Sequence, residues 1–214
     1  MRWKPLHHML AQHLYTPVMV AVLSPGDPAA TVSHSTAFVR NDLSKTLAGL
    51  VQVDAVHLNG SITTSVVSWR FDSLLPSSLQ HFDATMATQA CPPISCVLVS
   101  SVIDTTNVTV STNVQLQAPP RWLKLRADAA VSFKVAPTYS PDGTVGVTVT
   151  TSTATAVGVL LTTNASGFFS QNAFISTPGE QQVSFVPFKA ADKVEVLVQL
   201  QSTTRVEHMV QHIV

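Results

Sequence analysis

The sequence predicts an all-β protein: two tandem immunoglobulin-like β-sandwiches preceded by a short helix. Three observations predict it. After Pro17 the apolar residues recur at every second position, the spacing of a strand with one buried face. Turn residues interrupt these runs at the short intervals of a sandwich, which gives each half about six or seven strands. Helical periodicity is nearly absent beyond the first sixteen residues, which argues against a parallel α/β fold.

The elements follow in order. Trp3, Leu6, Leu10 and Leu14 recur at three- and four-residue spacing, one apolar face of a helix that Pro17 stops. In "LVQVDAV" Val51, Val53 and Ala55 alternate with Gln52 and Asp54, and in "SVVSWRF" Val67, Trp69 and Phe71 alternate with Ser68 and Arg70. Asn59-Gly60 lies between them, a strong hairpin signal. Strands are also expected near Phe38–Arg40, Phe82–Met86, Val97–Val102 and Val108–Val110. Pro119-Pro120 then marks a linker. Clean alternation from Leu123 to Val135 predicts one long strand or two in line. Asp142-Gly143 turns into "TVGVTVTT", and strands are expected at Val157–Leu161, Val183–Phe188 and Val194–Leu200. The domains are therefore a terminal helix at 1–16, a first sandwich at 17–118 and a second at 119–214.

Composition narrows the function. The chain has 214 residues, with 45% hydrophobic and 11% charged, against about 25% charged in a typical domain. Its surface must rest on Ser, Thr, Gln and Asn. Lys plus Arg equals Asp plus Glu at 12 each, so no basic field calls for nucleic acid or an anionic membrane. The apolar run "VMVAVL" is far short of the ~20 residues that span a bilayer. Arg2 and Lys4 ahead of an apolar stretch have the layout of a leader. His7, His8, Gln12 and His13 interrupt it, so cleavage there is not expected.

Chemistry-bearing residues are sparse. The glutamates are Glu180, Glu195 and Glu207, none paired in sequence with another carboxylate. Glu195 is expected on the polar face of a strand. No Gly-rich phosphate loop and no Gly-x-Ser-x-Gly elbow occurs, and no cofactor is expected. His208 and His212 would share a helical face beside Glu207, half of a metal site at most; a solvated tail is the simpler reading. Cys91 and Cys96 admit either a local disulfide or two free thiols. Asn59-Gly-Ser, Asn107-Val-Thr and Asn164-Ala-Ser are N-glycosylation sequons. Trp69 points inward on its strand, Trp122 follows the linker at the domain junction, and Trp3 lies on the helical seam. Phe168 or Phe169 remains a candidate for exposed stacking.

Three stretches together resemble β-mannosidase of glycoside hydrolase family two. "RWKPLHHMLAQHLYTPVMVAVL", Arg2–Leu23, is similar to the segment where that family's catalytic (β/α)8 barrel ends in a helix. "FVRNDL", Phe38–Leu43, is similar to the opening strands of the sandwich that follows. "GFFSQNAFISTPGEQQVSFVPF" fits the family pattern at Gly167, Phe169, Ser170, Asn172, Phe174, Pro178 and Gly179. The resemblance implies a long retaining exo-glycosidase that removes β-linked mannose with two carboxyl groups about 5–5.5 Å apart, on a barrel of about 250 residues. No position here matches either catalytic glutamate, so the expected catalytic, substrate and metal residues are none. The helix at 1–16 would be left over from a truncated barrel. The chain would be a non-catalytic accessory region, inactive alone, whose partners are the missing barrel and N-terminal domains, with glycans as a further candidate. The resemblance implies a lysosomal or secreted location. The alternative is a free-standing immunoglobulin-like carbohydrate-binding or adhesion module. On the first reading the "SGFFSQNAFISTPGE" stretch is an ordered corner: Gly167 turning, Phe169 and Phe174 pinning, Ser170 and Asn172 replacing ladder partners, and Pro178-Gly179 forming a type II turn.

Overall fold

Alternating apolar residues bury one face of a strand, and two such faces must meet to form a core. The computed structural model describes residues 15–23, 35–188 and 192–212, and it divides into two units between Lys124 and Leu125. The boundary expected at Pro119 falls slightly early. Pro120–Trp122 is a 3₁₀ turn, and the Lys124 N–H donates to the Ile94 carbonyl at 2.6 Å, tying the Pro-Pro segment to the first unit. The helix expected at Trp3–Leu14 lies outside the described residues.

The first unit contains β1 (Val18–Leu23), β2 (Thr36–Asn41), β3 (Leu47–His57), β4 (Ile62–Leu74), β5 (Ser78–Asp83), the helix α1 (Thr85–Ala90), β6 (Cys96–Asp104) and β7 (Thr109–Leu116). β1, β2 and β5 form one antiparallel sheet in the order β1-β2-β5, and the other four form a second in the order β4-β3-β6-β7. The hairpin at Asn59-Gly60 is as its dipeptide predicts: Gly60 has φ +97°, and its N–H donates to the His57 carbonyl at 3.0 Å. Val18, Val20 and Val39 from the smaller sheet pack with Val51, Phe71 and Val102 from the larger. Trp69 stacks on Phe82 with ring centroids 5.4 Å apart, the inward position its alternation predicts. The strand expected over Phe82–Met86 stops at Asp83. There the Asp83 carboxylate accepts from the Thr85 N–H at 2.9 Å, and α1 begins in the helix-tolerant run that follows.

The second unit contains β8 (Val131–Val135), β9 (Val145–Thr151), β10 (Ala156–Thr162), β11 (Gly167–Phe169), β12 (Phe174–Ser176), β13 (Gly179–Pro187), the helix α2 (Lys193–Thr203) and β14 (Arg205–Glu207). Its sheets run β11-β13-β9-β8 and β12-β10-β14. Val145, Val147 and Val149 pack with Val159, Leu161 and Phe185 in one core.

Two sequence expectations fail here. The alternation from Leu123 to Val135 is one strand only from Val131. Leu123 lies in the first unit, and a turn closed by the Ala129 N–H on the Arg126 carbonyl breaks the run. Val194–Leu200 is helix, not strand. Asp192 caps it, its Oδ1 accepting from the Val194 and Glu195 N–H groups at 2.8 and 3.0 Å. Val196 and Leu200, four apart, face the core, while Val194 and Val198 are 75% and 59% exposed. Five apolar residues in seven satisfy both periods, and the cap decides between them.

Candidate functional site

The corner between β10 and β13 is built around Asn172. Continuing the Val159↔Phe174 register of β10 and β12 by two residues brings Leu161 opposite Asn172. The backbone has turned away there, since Ala173 has φ +55°. The side-chain amide of Asn172 takes the missing place. Its Oδ1 accepts from the Leu161 N–H at 2.8 Å, and its Nδ2 donates to the Leu161 carbonyl at 2.9 Å. Asn172 is 2% exposed, so both groups would otherwise be buried without partners.

The neighbouring residues lock the same corner. Phe169 lies edge-on to Phe185 at 5.2 Å and is buried in the core, while Phe174 packs on that core from the rim. Ser170 Oγ accepts from the Ser184 N–H at 3.0 Å, and its own N–H donates to the Ser184 carbonyl at 2.7 Å. Gly179 has φ +118°, a backbone that favours glycine, and it opens strand β13 opposite Thr151 where a type II turn was expected. Gly167 differs from expectation. It is strand β11 rather than a turn, and a Cβ there would collide with the Phe185 ring and the Val186 carbonyl. Glycine is needed for close approach, not for a turn. Phe168 packs beside Phe188 at 6.2 Å.

The other singled-out residues are dispersed. Cys91 and Cys96 are bonded to each other, with Cα atoms 5.2 Å apart and both residues fully buried; the Gln117 amide donates to the Cys91 carbonyl at 2.5 Å. Asn59, Asn107 and Asn164 are exposed. Trp122 is 59% exposed, with the Arg121 guanidinium 5.3 Å above its ring. Glu195 stands in the first turn of α2, not on a strand. His208 and His212 share no helical face. β14 and a 3₁₀ turn at Met209–Gln211 bury His208 and leave His212 outside, where its Nε2 meets Glu207 Oε2 at 3.3 Å. Among the described residues no three His, Cys, Asp or Glu side chains group to hold a metal.

Electrostatics at the surface is that of turns. Asp104, Asp128 and Asp142 are held below the usual carboxylate range. The causes are hydrogen bonds from Thr106 and Val108, from Arg126, and from Thr144 respectively. A general acid requires a shift the other way. Burial and nearby His212 push the His208 imidazole down.

Sequence reasoning missed Asn41. It is wholly buried on β2, and its Nδ2 donates to the Leu74 and Lys45 carbonyls at 2.9 and 3.0 Å, while its Oδ1 accepts from the Leu43 N–H at 3.0 Å. A strand-disfavoured Asn closing the "TAFVRN" run was the available signal.

Residues 127–212 match the family Ig_mannosidase, an Ig-fold domain. That match covers the second unit, with the Asn172 corner inside it. The crystal structure of β-D-mannosidase from Dictyoglomus thermophilum aligns with 97% of this chain at 14% identity and a TM-score of 0.66. Exo-chitosanase CsxA from Amycolatopsis orientalis aligns with 90% at 14% identity and a TM-score of 0.54. At such identities the likeness is one of fold. The chain spans 23% of the first enzyme and 25% of the second. No curated protein sequence matches it.

Proposed function

We propose that this chain is the non-catalytic C-terminal accessory region of a β-mannosidase-type glycosidase, two sandwiches that brace a catalytic barrel carried elsewhere in the same enzyme. One observation carries the reading. Nearly the whole chain takes the fold of a segment making up 23% of a β-D-mannosidase, and the second unit matches the mannosidase Ig-fold family. The Asn172 corner fits a structural part: its polar side chains are spent on backbone partners within the unit. The reading places the barrel and N-terminal domains of one enzyme as the partners, and a lysosomal or secreted compartment as the setting. Hydrolysis of p-nitrophenyl β-mannoside by the pure chain tests it. No turnover is expected. Saturable release of p-nitrophenol would overturn the accessory role, and specific capture by a glycan array would favour a free-standing binding module instead.

A further inference from the structure

The chain has six asparagines, and the structure divides them completely. Asn41, Asn113 and Asn172 lie outside sequons. Each spends its side-chain amide nitrogen on a backbone carbonyl: Asn41 on Leu74 and Lys45, Asn113 on Val20 at 3.0 Å, and Asn172 on Leu161. Asn59, Asn107 and Asn164 lie in sequons. All three are exposed, and among the described residues none donates a hydrogen bond from its amide nitrogen. Asn59 is engaged only through Oδ1, which accepts from the Ser61 N–H and hydroxyl at 3.0 and 2.8 Å. Asn107 stands in the turn between β6 and β7 with φ +63°. Asn164 lies between β10 and β11, held through its backbone N–H, which donates to the Thr203 hydroxyl at 3.0 Å. Thus the atom that N-glycosylation consumes is free in the three residues that carry the sequon and engaged in the three that do not.

We infer that Asn59, Asn107 and Asn164 are N-glycosylation sites and that the chain matures in a secretory compartment. The donor would be an oligosaccharide on a lipid diphosphate. Asparagine Nδ2 forms a bond to the anomeric carbon and loses one proton. The carbon–oxygen bond to the diphosphate breaks, and the lipid diphosphate leaves with the electron pair. The wholly buried Cys91–Cys96 disulfide supports the same compartment independently, because structural disulfides persist where the redox poise is oxidising. The proposal does not rest on the accessory role.

The experiment uses the full protein purified from its source cells. Peptide-N-glycosidase in ¹⁸O-water converts each glycosylated Asn to ¹⁸O-labelled Asp, read by peptide mass mapping under non-reducing conditions. Label at all three positions, together with an intact Cys91–Cys96 peptide, is the expected result. Secretory expression of Ser61→Ala, Thr109→Ala and Ser166→Ala variants should each remove one glycan's mobility step while leaving Asn in place. An unlabelled position among the three, or a variant that migrates unchanged, would overturn the proposal at that site, and no label at any of them would overturn it whole, without touching the glycosidase reading.

Discussion

The side-chain amide of Asn172 pairs with both backbone polar groups of Leu161, at 2.8 and 2.9 Å, and so extends the β10–β12 ladder by one rung after the backbone has left it. Asn41 plays a comparable part in the first unit, where one buried amide holds the Leu74 and Lys45 carbonyls. In each unit a short polar side chain stands in for strand backbone inside an apolar setting.

Asn172→Ala removes a donor and an acceptor at once and leaves the Leu161 N–H and carbonyl buried without partners. At about 1–3 kcal/mol for each orphaned group, the expected loss is roughly 2–4 kcal/mol after local relaxation. For a domain near 90 residues, that is a fall in Tm on the order of 10 °C or more. Thermal unfolding by circular dichroism reads it directly. An unchanged Tm would mean that the amide has another role.

The α2 assignment separates residues that a strand would place on one face. Leu200→Ala should cost about 2–5 kcal/mol, since Leu200 is wholly buried. Val198→Ala should stay within about 0.5 kcal/mol, since Val198 is 59% exposed. Urea titration of the two variants checks this. Equal losses would point back to a strand.

Replacing Cys91 and Cys96 together by serine opens a short loop. The chain-entropy estimate for so few residues is about 2 kcal/mol, and burying two hydroxyls adds to it. The expected result is a first unit that unfolds at lower urea, followed by Trp69 and Trp122 fluorescence. Of the chain's three tryptophans, these two lie in the first unit and Trp3 lies outside the described residues.

His208 should make the second unit acid-sensitive. Burial and His212 depress its folded pKa below the ordinary value near 6.5, so the unfolded chain binds the proton more readily. Above about pH 6.5 the imidazole is neutral in both states and contributes no pH dependence. As pH falls below that value, the unfolded state gains protons first and stability is lost until the folded state also titrates. The urea midpoint should therefore drop as pH falls through and below about 6.5, and His208→Gln should flatten that slope.

The alternation in β3, β4 and β9 was legible because each strand keeps one face in a core, and the Asn59-Gly60 and Asp142-Gly143 turns announced themselves by composition. The corner motif was legible as residues, and Ser170 and Asn172 do replace ladder partners. Gly167 was read for the wrong reason, because the ring that forbids a Cβ, Phe185, comes from β13, eighteen positions away in sequence. α2 was misread because its valines fit a period of two as well as they fit a helix.

The sequence by itself determined the all-β class, most strands and the Asn59-Gly60 and Asp142-Gly143 turns, since these follow from local periodicity and backbone preference. Only the tertiary structure decided which apolar residues of α2 turn inward, that Cys91 and Cys96 are bonded, and which asparagines are spent. Those outcomes depend on what stands opposite a residue in space. Asn172 and Asn164 differ little as letters in a chain; one meets the open edge of Leu161, and the other meets solvent.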